Sequence, residues 1–393
     1  MSDQHAFPEA VSTVPNFIWH PATRLIDPDP SITALRDLVV AGRAIRSTAD
    51  GVSGHDAPVQ TLDVATSGSS GQPKIIRRTP ESWQAGFAVN GTALGLSTQS
   101  RVAVFGGLAQ SLALHAVMEA AHHGADILSL RQRRPDRQAR RLGEVGATHL
   151  SLTPTQLALL CASDPAPMQT VRQILVGGGP LSPAVAEAAA RAFPQGRLTR
   201  FYGAAETSFI TWTDADTPAP SVGRAYPGVS LRIAPDGPDG TGTIWVRSPY
   251  LFTGYAEGQS SDTVWSDGWL SVGEVGWRDN AGYLYIRGRR SRMVTIADHN
   301  VFPEEVEALL ARLLPARMIV VVPQPDPHRG AHLVAAVVGP RGEVDADALL
   351  RDCRRAIGPL AAPRRIHVLP EVPLLAAGKP DHAAIAQMLA DRA

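Results

Sequence analysis

The sequence predicts an α/β protein with a large N-terminal domain of parallel βαβ layers, a β-rich subdomain within it and a small α+β C-terminal domain. Three observations lead to this prediction. Strand-like apolar segments alternate with amphipathic helical segments through the first two thirds of the chain, short strands and turns dominate residues 223–288, and helices flank a strand pair after residue 289. A chain of 393 residues is long enough for two or more domains.

The parallel units are clearest between residues 101 and 180. The segments "RVAVFGG" (101–107) and "ADILSL" (125–130) have the apolar composition of buried strands, and "SLALHAVMEAAHHG" (111–124) between them has an amphipathic pattern that ends at a glycine. Two further segments, "THLSLTP" and "QILVGGGP", continue the alternation. Strand, helix and strand at this spacing indicate crossover connections, with helices covering a sheet.

The composition argues against several classes of protein. Lys+Arg and Asp+Glu number 37 each, so no charge excess indicates a nucleic acid or a membrane surface as partner. Cys161 and Cys353 lie too far apart for a metal knuckle or a redox pair, and so few cysteines are typical of a reducing compartment. The N-terminus lacks the pattern of a signal peptide, and the longest apolar runs have strand length. We therefore expect a cytoplasmic protein without a membrane span.

The stretch "TSGSSGQPK" (66–74) predicts a phosphate site. Backbone N–H groups and hydroxyls of a Gly/Ser-rich turn can bind phosphate oxygens, and Lys74 adds a point charge. The spacing is not that of a Walker A loop, because Lys74 stands three residues after Gly71 with Pro73 between them. A flexible surface turn is the alternative interpretation.

Three further stretches follow this one in order: "FYGAAETS" (201–208), "DGWLSVGEVGWRDNAGYLYIRGR" (267–289) and "GKPD" (378–381). Together the four stretches resemble those of the adenylate-forming superfamily of acyl-CoA synthetases, nonribosomal adenylation domains and luciferases, from about residue 61 onward. The resemblance implies a short-form AMP-dependent acyl-CoA synthetase or ligase, in which a carboxylate attacks the α-phosphate of ATP. Pyrophosphate leaves, an acyl-adenylate forms, and CoA is the expected acceptor.

The resemblance also implies a domain division and a cofactor set. It implies an N-terminal adenylation domain over residues 1–288, with the β-rich subdomain at 223–288, and a mobile C-terminal lid domain over 289–393. ATP, Mg²⁺ and CoA are the implied cofactors.

Individual roles follow from the same resemblance. Lys379 is expected to bridge the substrate carboxylate and the α-phosphate, Lys74 to neutralise phosphate, and Glu206 to bind Mg²⁺, which prefers oxygen ligands. Tyr202 is expected to stack on adenine, and Ser291 occupies the hinge position. The other residues of the predicted nucleotide site are Thr66, Ser67, Gly68, Ser69, Ser70, Gly71, Gly177, Gly178, Gly179, Gly203, Glu274 and Arg289. For the glycines at 177–179, an ordinary strand-to-helix turn is the alternative.

The pocket for the acid is predicted between the helix that follows residue 107 and the "GAAETSF" segment. Its candidate residues are Gln110, His115, Ala204, Ala205 and Phe209. Such an open, apolar wall suits an aryl or medium-chain acid. No aspartate occurs between residues 105 and 120 to pair with a substrate ammonium, and Glu119 is poorly placed for it, so a free α-amino acid is disfavoured. For His115, packing against neighbouring residues is the favoured alternative.

The sequence departs from the family pattern at four places. Glu274 replaces the aspartate that binds both ribose hydroxyls, and Ser291 replaces an acidic residue or lysine at the hinge. Ala297 and Asp298 replace a glycine pair that lets the pantetheine arm of the thiol pass close to the backbone. The segment before the phosphate loop is also shorter than in most relatives. Adenylation is therefore a firmer expectation than thioester formation.

Two alternatives to a CoA ligase stay open. The adenylate could pass to an acyl carrier protein, an amine or another biosynthetic nucleophile, which the substitutions at Ala297 and Asp298 motivate. Alternatively the chain could be a degenerate ligase that binds nucleotide or acyl ligand as a regulatory module, which Glu274 and the altered hinge permit. Retention of both lysines and Glu206 argues against this second alternative.

Two other features are expected to be structural. The basic run "RQRRPDRQARR" (131–141) has no interleaved aromatic residue, which favours a solvated helix start over an RNA site. Docking of the 3′-phosphate of CoA or of an acidic carrier protein is a lesser alternative for this run. His122 and His123 have no third ligand nearby in the sequence, so we expect no metal site there.

Overall fold

A computed structural model describes residues 15–66, 74–235, 240–314, 317–340, 342–374 and 380–392. The helices of this part are α1 (Pro30–Val40), α2 (Pro80–Leu94), α3 (Ser111–His122), α4 (Pro135–Val145), α5 (Pro154–Ala162), α6 (Pro183–Ala192), α7 (Pro303–Leu313), α8 (Ala346–Ala361) and α9 (His382–Ala390), with a 3₁₀-helix at Arg290–Arg292. None of these helices combines the length and the apolar composition that crossing a bilayer requires.

The strands up to residue 225 are β1 (Ala44–Thr48), β2 (Gly51–His55), β3 (Leu62–Thr66), β4 (Lys74–Arg78), β5 (Arg101–Val104), β6 (Asp126–Ser129), β7 (His149–Leu152), β8 (Gln173–Val176), β9 (Arg197–Ala204), β10 (Ser208–Trp212) and β11 (Arg224–Ala225). The strands that follow are β12 (Ser230–Pro235), β13 (Gly242–Arg247), β14 (Gly254–Glu257), β15 (Val264–Ser266), β16 (Trp269–Ser271), β17 (Glu274–Arg278), β18 (Leu284–Arg289), β19 (Val294–Ile296), β20 (His299–Val301), β21 (Ile319–Asp326), β22 (Gly330–Val338) and β23 (Arg365–Leu369).

A seven-stranded sheet forms the centre of the N-terminal part, in the order β11-β10-β9-β8-β7-β5-β6. The strands from β9 to β6 pair in parallel, whereas β10 and β11 are antiparallel additions at one edge. The helix between β5 and β6, α3, is the one that the periodicity of residues 111–124 predicts. This arrangement confirms the predicted α/β class.

Side chains that alternate along β5 show how the central sheet is covered. Val102 and Val104 lie in a cluster with α3, whereas Ala103 and Phe105 lie in a second cluster with α4, α5 and α6. Successive residues of a strand point to opposite faces, so helices cover both faces of this sheet. The first cluster also contains Ile45 of β1, and it therefore joins the central sheet to a second one.

The second sheet has five strands in the order β14-β4-β3-β1-β2. Its β3–β4 pair is an antiparallel hairpin, and β14 reaches it from the β-rich region. A third sheet contains β12, β13 and β15 to β18, and its strand pairs are antiparallel, as predicted for residues 223–288. The ends of these three sheets position the candidate site.

The C-terminal part packs α7, α8 and α9 against the sheet formed by β21, β22 and β23. The pair β21–β22 is antiparallel, as predicted, and β23 adds in parallel to β22. Polar contacts connect this part to β18: the Nε of Arg287 lies 2.7 Å from Oε1 of Glu305, and the backbone N–H of Arg289 donates to Oε1 of Glu304 at 3.3 Å. The exact domain limits stay a prediction.

The basic run at 131–141 contains the start of α4, which begins at Pro135. Arg133 and Arg141 both pair with Asp27, at 3.0 and 2.7 Å. This segment therefore has a structural role in holding the N-terminal residues against α4. Among the described residues, no group of three or more His, Cys, Asp or Glu side chains is arranged to hold a metal ion.

Candidate active site

The β3–β4 hairpin carries the predicted phosphate loop. Thr66 and Lys74 are paired across the hairpin, and the hydroxyl of Thr66 donates to the carbonyl oxygen of Lys74 at 3.3 Å. Thr66 ends β3 and Lys74 begins β4, so these two residues lie side by side at one end of the hairpin. The predicted loop residues Ser67, Gly68, Ser69, Ser70 and Gly71 lie outside the described residues, as does Lys379.

Glu206 lies in the turn that joins β9 to β10. The hydroxyl of Tyr255 donates to its Oε1 at 2.9 Å, and the N–H of Phe252 donates to its backbone carbonyl at 2.9 Å. The hydroxyl of Thr207 closes the turn by accepting from the N–H of Ala204 at 2.9 Å. Burial, and next the charge of Glu206, raises the pKa of Tyr255 to about 12, so the phenol keeps its proton. The side chain and the backbone of Glu206 are therefore both held in place.

The environment of Glu206 fits a magnesium site that is completed by a ligand. Its carboxylate supplies hard oxygen atoms, and Tyr255 orients one of them. Mg²⁺ is commonly bound through one or two carboxylates, with phosphate oxygens and waters filling the other positions. One acidic side chain therefore suffices here, provided that a polyphosphate supplies further oxygens.

Tyr202, Glu274 and Arg289 form a second group beside this turn. Glu274 is 9% exposed, and the Tyr202 hydroxyl donates to its Oε2 while Nε and Nη2 of Arg289 each lie 3.2 Å from Oε1. Glu274 and Arg289 are cross-strand partners on β17 and β18. Three residues of the predicted nucleotide site, distant in the sequence, are therefore brought into direct contact.

Two of the predicted glycines are required by close packing. A Cβ on Gly177 would lie 2.2 Å from the Phe201 ring, and a Cβ on Gly203 would lie 1.8 Å from the carbonyl oxygen of Ser208. Gly177, Gly178 and Gly179 follow β8 and lead towards α6, so they occupy a strand-to-helix turn next to β9. This packing accounts for Gly177 and Gly203 without a ligand, and their predicted contact with the nucleotide stays a prediction.

The candidate pocket residues surround the start of β10 and the first half of α3. Gln110 is the N-cap residue of α3, Ala204 ends β9, and Ala205 begins the turn that follows it. The ring of His115 lies 5.0 to 5.3 Å from the rings of Trp83, Phe87 and Phe209. Burial, and next the charge of Arg78, lowers the pKa of His115 to about 3, so its ring is neutral at physiological pH. His115 and Phe209 thus belong to an aromatic cluster behind the turn.

Sequence reasoning missed Arg78, which is fully buried under the same turn. Its Nε donates to the carbonyl oxygen of Ala205 at 3.1 Å, its Nη2 donates to the same oxygen, and its Nη1 donates to the carbonyl oxygen of Tyr250 at 2.7 Å. Burial lowers the pKa of Arg78 to about 9. Its position on β4, two residues after the buried Ile76, is the signal that could have identified it, because such residues share a strand face.

Three of the four departures from the family pattern concern residues that the structure describes, and the fourth concerns the length of the segment before the phosphate loop. Ser291 lies in the 3₁₀-helix that separates β18 from β19. Ala297 and Asp298 form the tip of the β19–β20 hairpin with φ angles of 45° and 65°. That backbone region favours glycine, which agrees with the glycine pair that the family has at these positions.

The fold is that of the adenylate-forming enzymes. The model of the AMP-binding enzyme family matches residues 64–256, and the model of the AMP-binding enzyme C-terminal domain matches residues 305–379. The chain therefore belongs to the AMP-binding enzyme family.

Known proteins similar to this chain include ligases with different acceptors. An uncharacterized acyl-CoA ligase of Bacillus subtilis, YhfT, is 29% identical over 80% of this chain and 65% of its own length. The structure of the Bacillus subtilis O-succinylbenzoate CoA synthetase with ATP and magnesium has a TM-score of 0.73 at 25% identity, covering 85% of this chain and 71% of that one.

The amide bond synthetase McbA of Marinactinospora thermotolerans has a TM-score of 0.73 at 26% identity, covering 86% of this chain and 70% of that one. The chain thus spans just under two thirds of the length of YhfT and somewhat more of the two solved enzymes.

Proposed function

We propose that this chain is an AMP-forming acid–thiol ligase, which converts a carboxylic acid to an acyl-adenylate with release of pyrophosphate and then transfers the acyl group to CoA. The observation that carries the proposal is the group formed by Tyr202, Glu206, Glu274 and Arg289 beside the β3–β4 hairpin. It combines an aromatic ring, a carboxylate oriented for a cation and an ion pair at the ends of three sheets. These are the groups that a magnesium-bound nucleotide requires.

The lysine content of the chain supports the assignment. Of its 37 Lys and Arg residues only two, Lys74 and Lys379, are lysines, and both lie in the stretches that match the family. Lysine is a compact point charge on a flexible stem, whereas arginine is a planar fork. We propose that both positions need the former, Lys74 for the phosphates and Lys379 for the bridge between carboxylate and α-phosphate.

The residues act mainly by positioning and by neutralising charge. In the first step the carboxylate oxygen bonds to the α-phosphorus, and the bond from that phosphorus to the bridging oxygen breaks and releases pyrophosphate. Two anions must approach each other, so fixed cations next to the α-phosphate lower the barrier. Mg²⁺, when bound at Glu206, neutralises phosphate charge. In the second step the thiol attacks the acyl carbon and AMP leaves.

In the proposed domain division, residues 1–288 bind the nucleotide and the acid, and residues 289–393 carry the mobile Lys379. The acid is proposed to lie against Ala204, Ala205 and Phe209, with Gln110 at the mouth of the pocket. Phe209 and Ala205 of this wall both belong to apolar clusters. This wall suits an aryl or medium-chain acid, and the similar Bacillus synthetase is named for an aryl acid.

We also propose that the protein is located in the cytoplasm.

A second acceptor is favoured by one observation, the hairpin tip at Ala297 and Asp298. Side chains occupy two positions there at which glycines would leave space for a pantetheine arm. The similarity to an amide bond synthetase adds to this alternative. Under it the chain forms the same adenylate and passes the acyl group to an amine or to an acyl carrier protein.

Mass spectrometry of reactions with ATP, Mg²⁺, CoA and a pooled panel of aryl and aliphatic acids tests the proposal. We expect an acyl-CoA product from one class of acid. Acyl-AMP without thioester would support the second acceptor, which reactions supplemented with amines or a loaded carrier protein would then identify. Nucleotide binding without pyrophosphate release from any acid would contradict both and would favour a regulatory module.

A further inference from the structure

Arg78 is a buried cation that the proposed chemistry does not yet use. Arg78 is 1% exposed, and its hydrogen bonds go to the backbone carbonyls of Ala205 and Tyr250. No carboxylate in the described part of the chain forms an ion pair with it at contact distance, although the charge of Glu206 favours its protonated form. A buried guanidinium without a contacting carboxylate is costly, and a hydrophobic residue of similar volume would be cheaper. An arginine at this position therefore indicates a specific role.

The contacts of Arg78 join two different sheets. Arg78 ends β4 of the five-stranded sheet, whereas Ala205 and Glu206 lie in the turn between β9 and β10 of the seven-stranded sheet. Neither β9 nor β10 pairs with β4. The relative position of the strand and the turn is therefore not set by a hydrogen-bonded ladder between them.

The turn is held at two consecutive residues. Arg78 binds Ala205, and two residues in and next to β14 bind Glu206. Two N–H groups of Arg78 bind the carbonyl of Ala205, while the N–H of Phe252 binds the carbonyl of Glu206. The Tyr255 hydroxyl, from β14 next to β4, binds the carboxylate. The consecutive backbone carbonyls of Ala205 and Glu206 are thereby fixed to β4 and to the segment that leads into β14.

The same strand carries the predicted phosphate lysine. β4 begins at Lys74 and ends at Arg78, and it pairs along both edges, with β3 and with β14. A strand that is paired along both edges is rigid, so a contact that fixes the residue at one end also fixes the position of the residue at the other end. Arg78 therefore couples the location of Lys74 to that of Glu206.

We propose that Arg78 is a positioning residue that holds the Glu206 turn in register with Lys74, so that a magnesium-bound nucleoside triphosphate meets both groups at once. The proposal rests on the proposed function, because it assigns Glu206 to Mg²⁺ and Lys74 to phosphate. Arg78 acts through the backbone of the turn and touches neither the nucleotide nor the acid.

Calorimetric titration with ATP, with Mg²⁺ and with a chelator instead, tests this role without requiring turnover. We expect Arg78→Met to weaken binding in Mg²⁺ by about 10- to 100-fold, the range typical when a group supporting a metal ligand is removed. Binding in the chelator should change little, because Lys74 remains. Arg78→Lys should recover part of the loss, since an ammonium can donate to one of the two carbonyls.

Ile76→Ala is the matched control, because Ile76 is buried on the same strand but its apolar side chain cannot donate a hydrogen bond to the turn. It should loosen the packing while leaving the difference between the two titrations unchanged. Circular dichroism checks that each variant is folded, and Arg78→Lys carries the test if Arg78→Met is not. A matching loss with and without Mg²⁺, or one equal to that of Ile76→Ala, would overturn the positioning role.

The wild-type titration separates the two levels of the proposal. If the wild type binds ATP with Mg²⁺ and releases pyrophosphate with an acid, but Arg78→Met behaves like it, the Arg78 assignment alone is wrong. If the wild type binds no ATP with Mg²⁺, the proposed function and the role of Arg78 are both wrong.

Discussion

Glu119 on α3 is a buried acid behind the candidate pocket, and its surroundings change its pKa. Nδ2 of Asn90 donates to its Oε1 at 2.8 Å, and the hydroxyl of Tyr226 donates to Oδ1 of Asn90 at 2.7 Å. Burial raises the pKa of Glu119 to about 8, against the opposing effect of the Asn90 hydrogen bond. The carboxyl group is therefore neutral in the folded chain at neutral pH. Because its pKa differs between the folded and unfolded chain, it makes the stability depend on pH.

We predict that stability falls as the pH rises between about 6.5 and 8, and that Glu119→Gln flattens this slope. The folded state keeps the proton of Glu119 throughout this range, whereas the unfolded state loses it above the ordinary pKa, so the folded chain binds more protons. Below about 6.5 the nearby His115 gives the opposite slope, because burial lowers its pKa in the folded chain while the unfolded chain still binds the proton. Tyr226 stays protonated, because burial raises its pKa. Urea unfolding across the range measures the slope.

The control for this prediction is Glu187→Gln on the exposed face of α6, which should leave the slope as in the wild type. In Glu119→Gln the new side-chain amide can still accept from Asn90, so the variant should also be more stable than the wild type at the alkaline end. An unchanged slope in Glu119→Gln would show that Glu119 ionises near its ordinary pKa.

The β19–β20 hairpin carries the main departure from the family pattern at the scale of an element. Ala297 and Asp298 both have positive φ, as in the type I′ turns that match the twist of two-residue hairpins. Aspartate tolerates this region, but an alanine there costs about 1–2 kcal/mol. The substitution of the family's glycine therefore lowers stability and also places a Cβ at the tip.

We predict that Ala297→Gly raises the free energy of unfolding by about 1 kcal/mol, because relief of the backbone strain exceeds the added entropy of the unfolded chain. If the tip narrows the passage for pantetheine, thioester formation from CoA should also become faster. Urea unfolding and a CoA-dependent thioester assay measure the two effects.

Ala308→Gly, at an exposed position in the middle of α7, is the control of opposite sign and should lower stability by about 1 kcal/mol. Equal losses in the two variants would contradict the strain at the hairpin tip. A gain in stability without any change in thioester formation would show that the tip does not limit entry of the thiol.

The element scale also shows which part of the fold was hard to predict. The strands β5 to β8 follow from apolar runs bounded by turns, because a buried parallel strand needs nothing else. By contrast β2, "GVSGH", contains two glycines and is largely exposed, so it has almost no local strand signal. β2 forms because the edge of β1 supplies backbone hydrogen-bonding partners for it. A pattern in the linear sequence does not show that this edge is available.

At the scale of the whole molecule, the proposed reaction requires groups from two domains. The nucleotide group around Glu206 and Glu274 belongs to the N-terminal part, whereas Lys379 belongs to the C-terminal part. The connection between them passes through the 3₁₀-helix that contains Ser291 and through the contacts of Arg287 and Arg289 with α7. Binding and chemistry should therefore be separable by mutation.

We predict that Lys379→Ala lowers acid-dependent pyrophosphate release by on the order of 100- to 1,000-fold, as for loss of a group that stabilises charge in a transition state. ATP affinity should stay close to that of the wild type. Lys379→Arg should restore little, because a planar fork does not replace a point charge between two anions. A pyrophosphate assay and calorimetry give the two quantities.

Lys74→Ala provides the comparison, since loss of a phosphate contact should weaken ATP binding as well as turnover. Adenylate formation by Lys379→Ala at the wild-type rate would contradict the assignment of the bridging lysine. A parallel loss of ATP affinity in Lys379→Ala would place this lysine in the ground-state nucleotide site instead.

The sequence by itself determined the α/β class, the positions of several helices and strands, among them β5 to β8 and α3, and the ordered stretches that identify the family. These properties depend on periodicity and on short runs of neighbouring residues, so they are present before the chain folds. The tertiary structure decided how the site is held together. Arg78 reaches a carbonyl 127 residues away and Tyr255 a carboxylate 49 residues away. Such contacts depend on which sheet ends meet, and local sequence does not encode that.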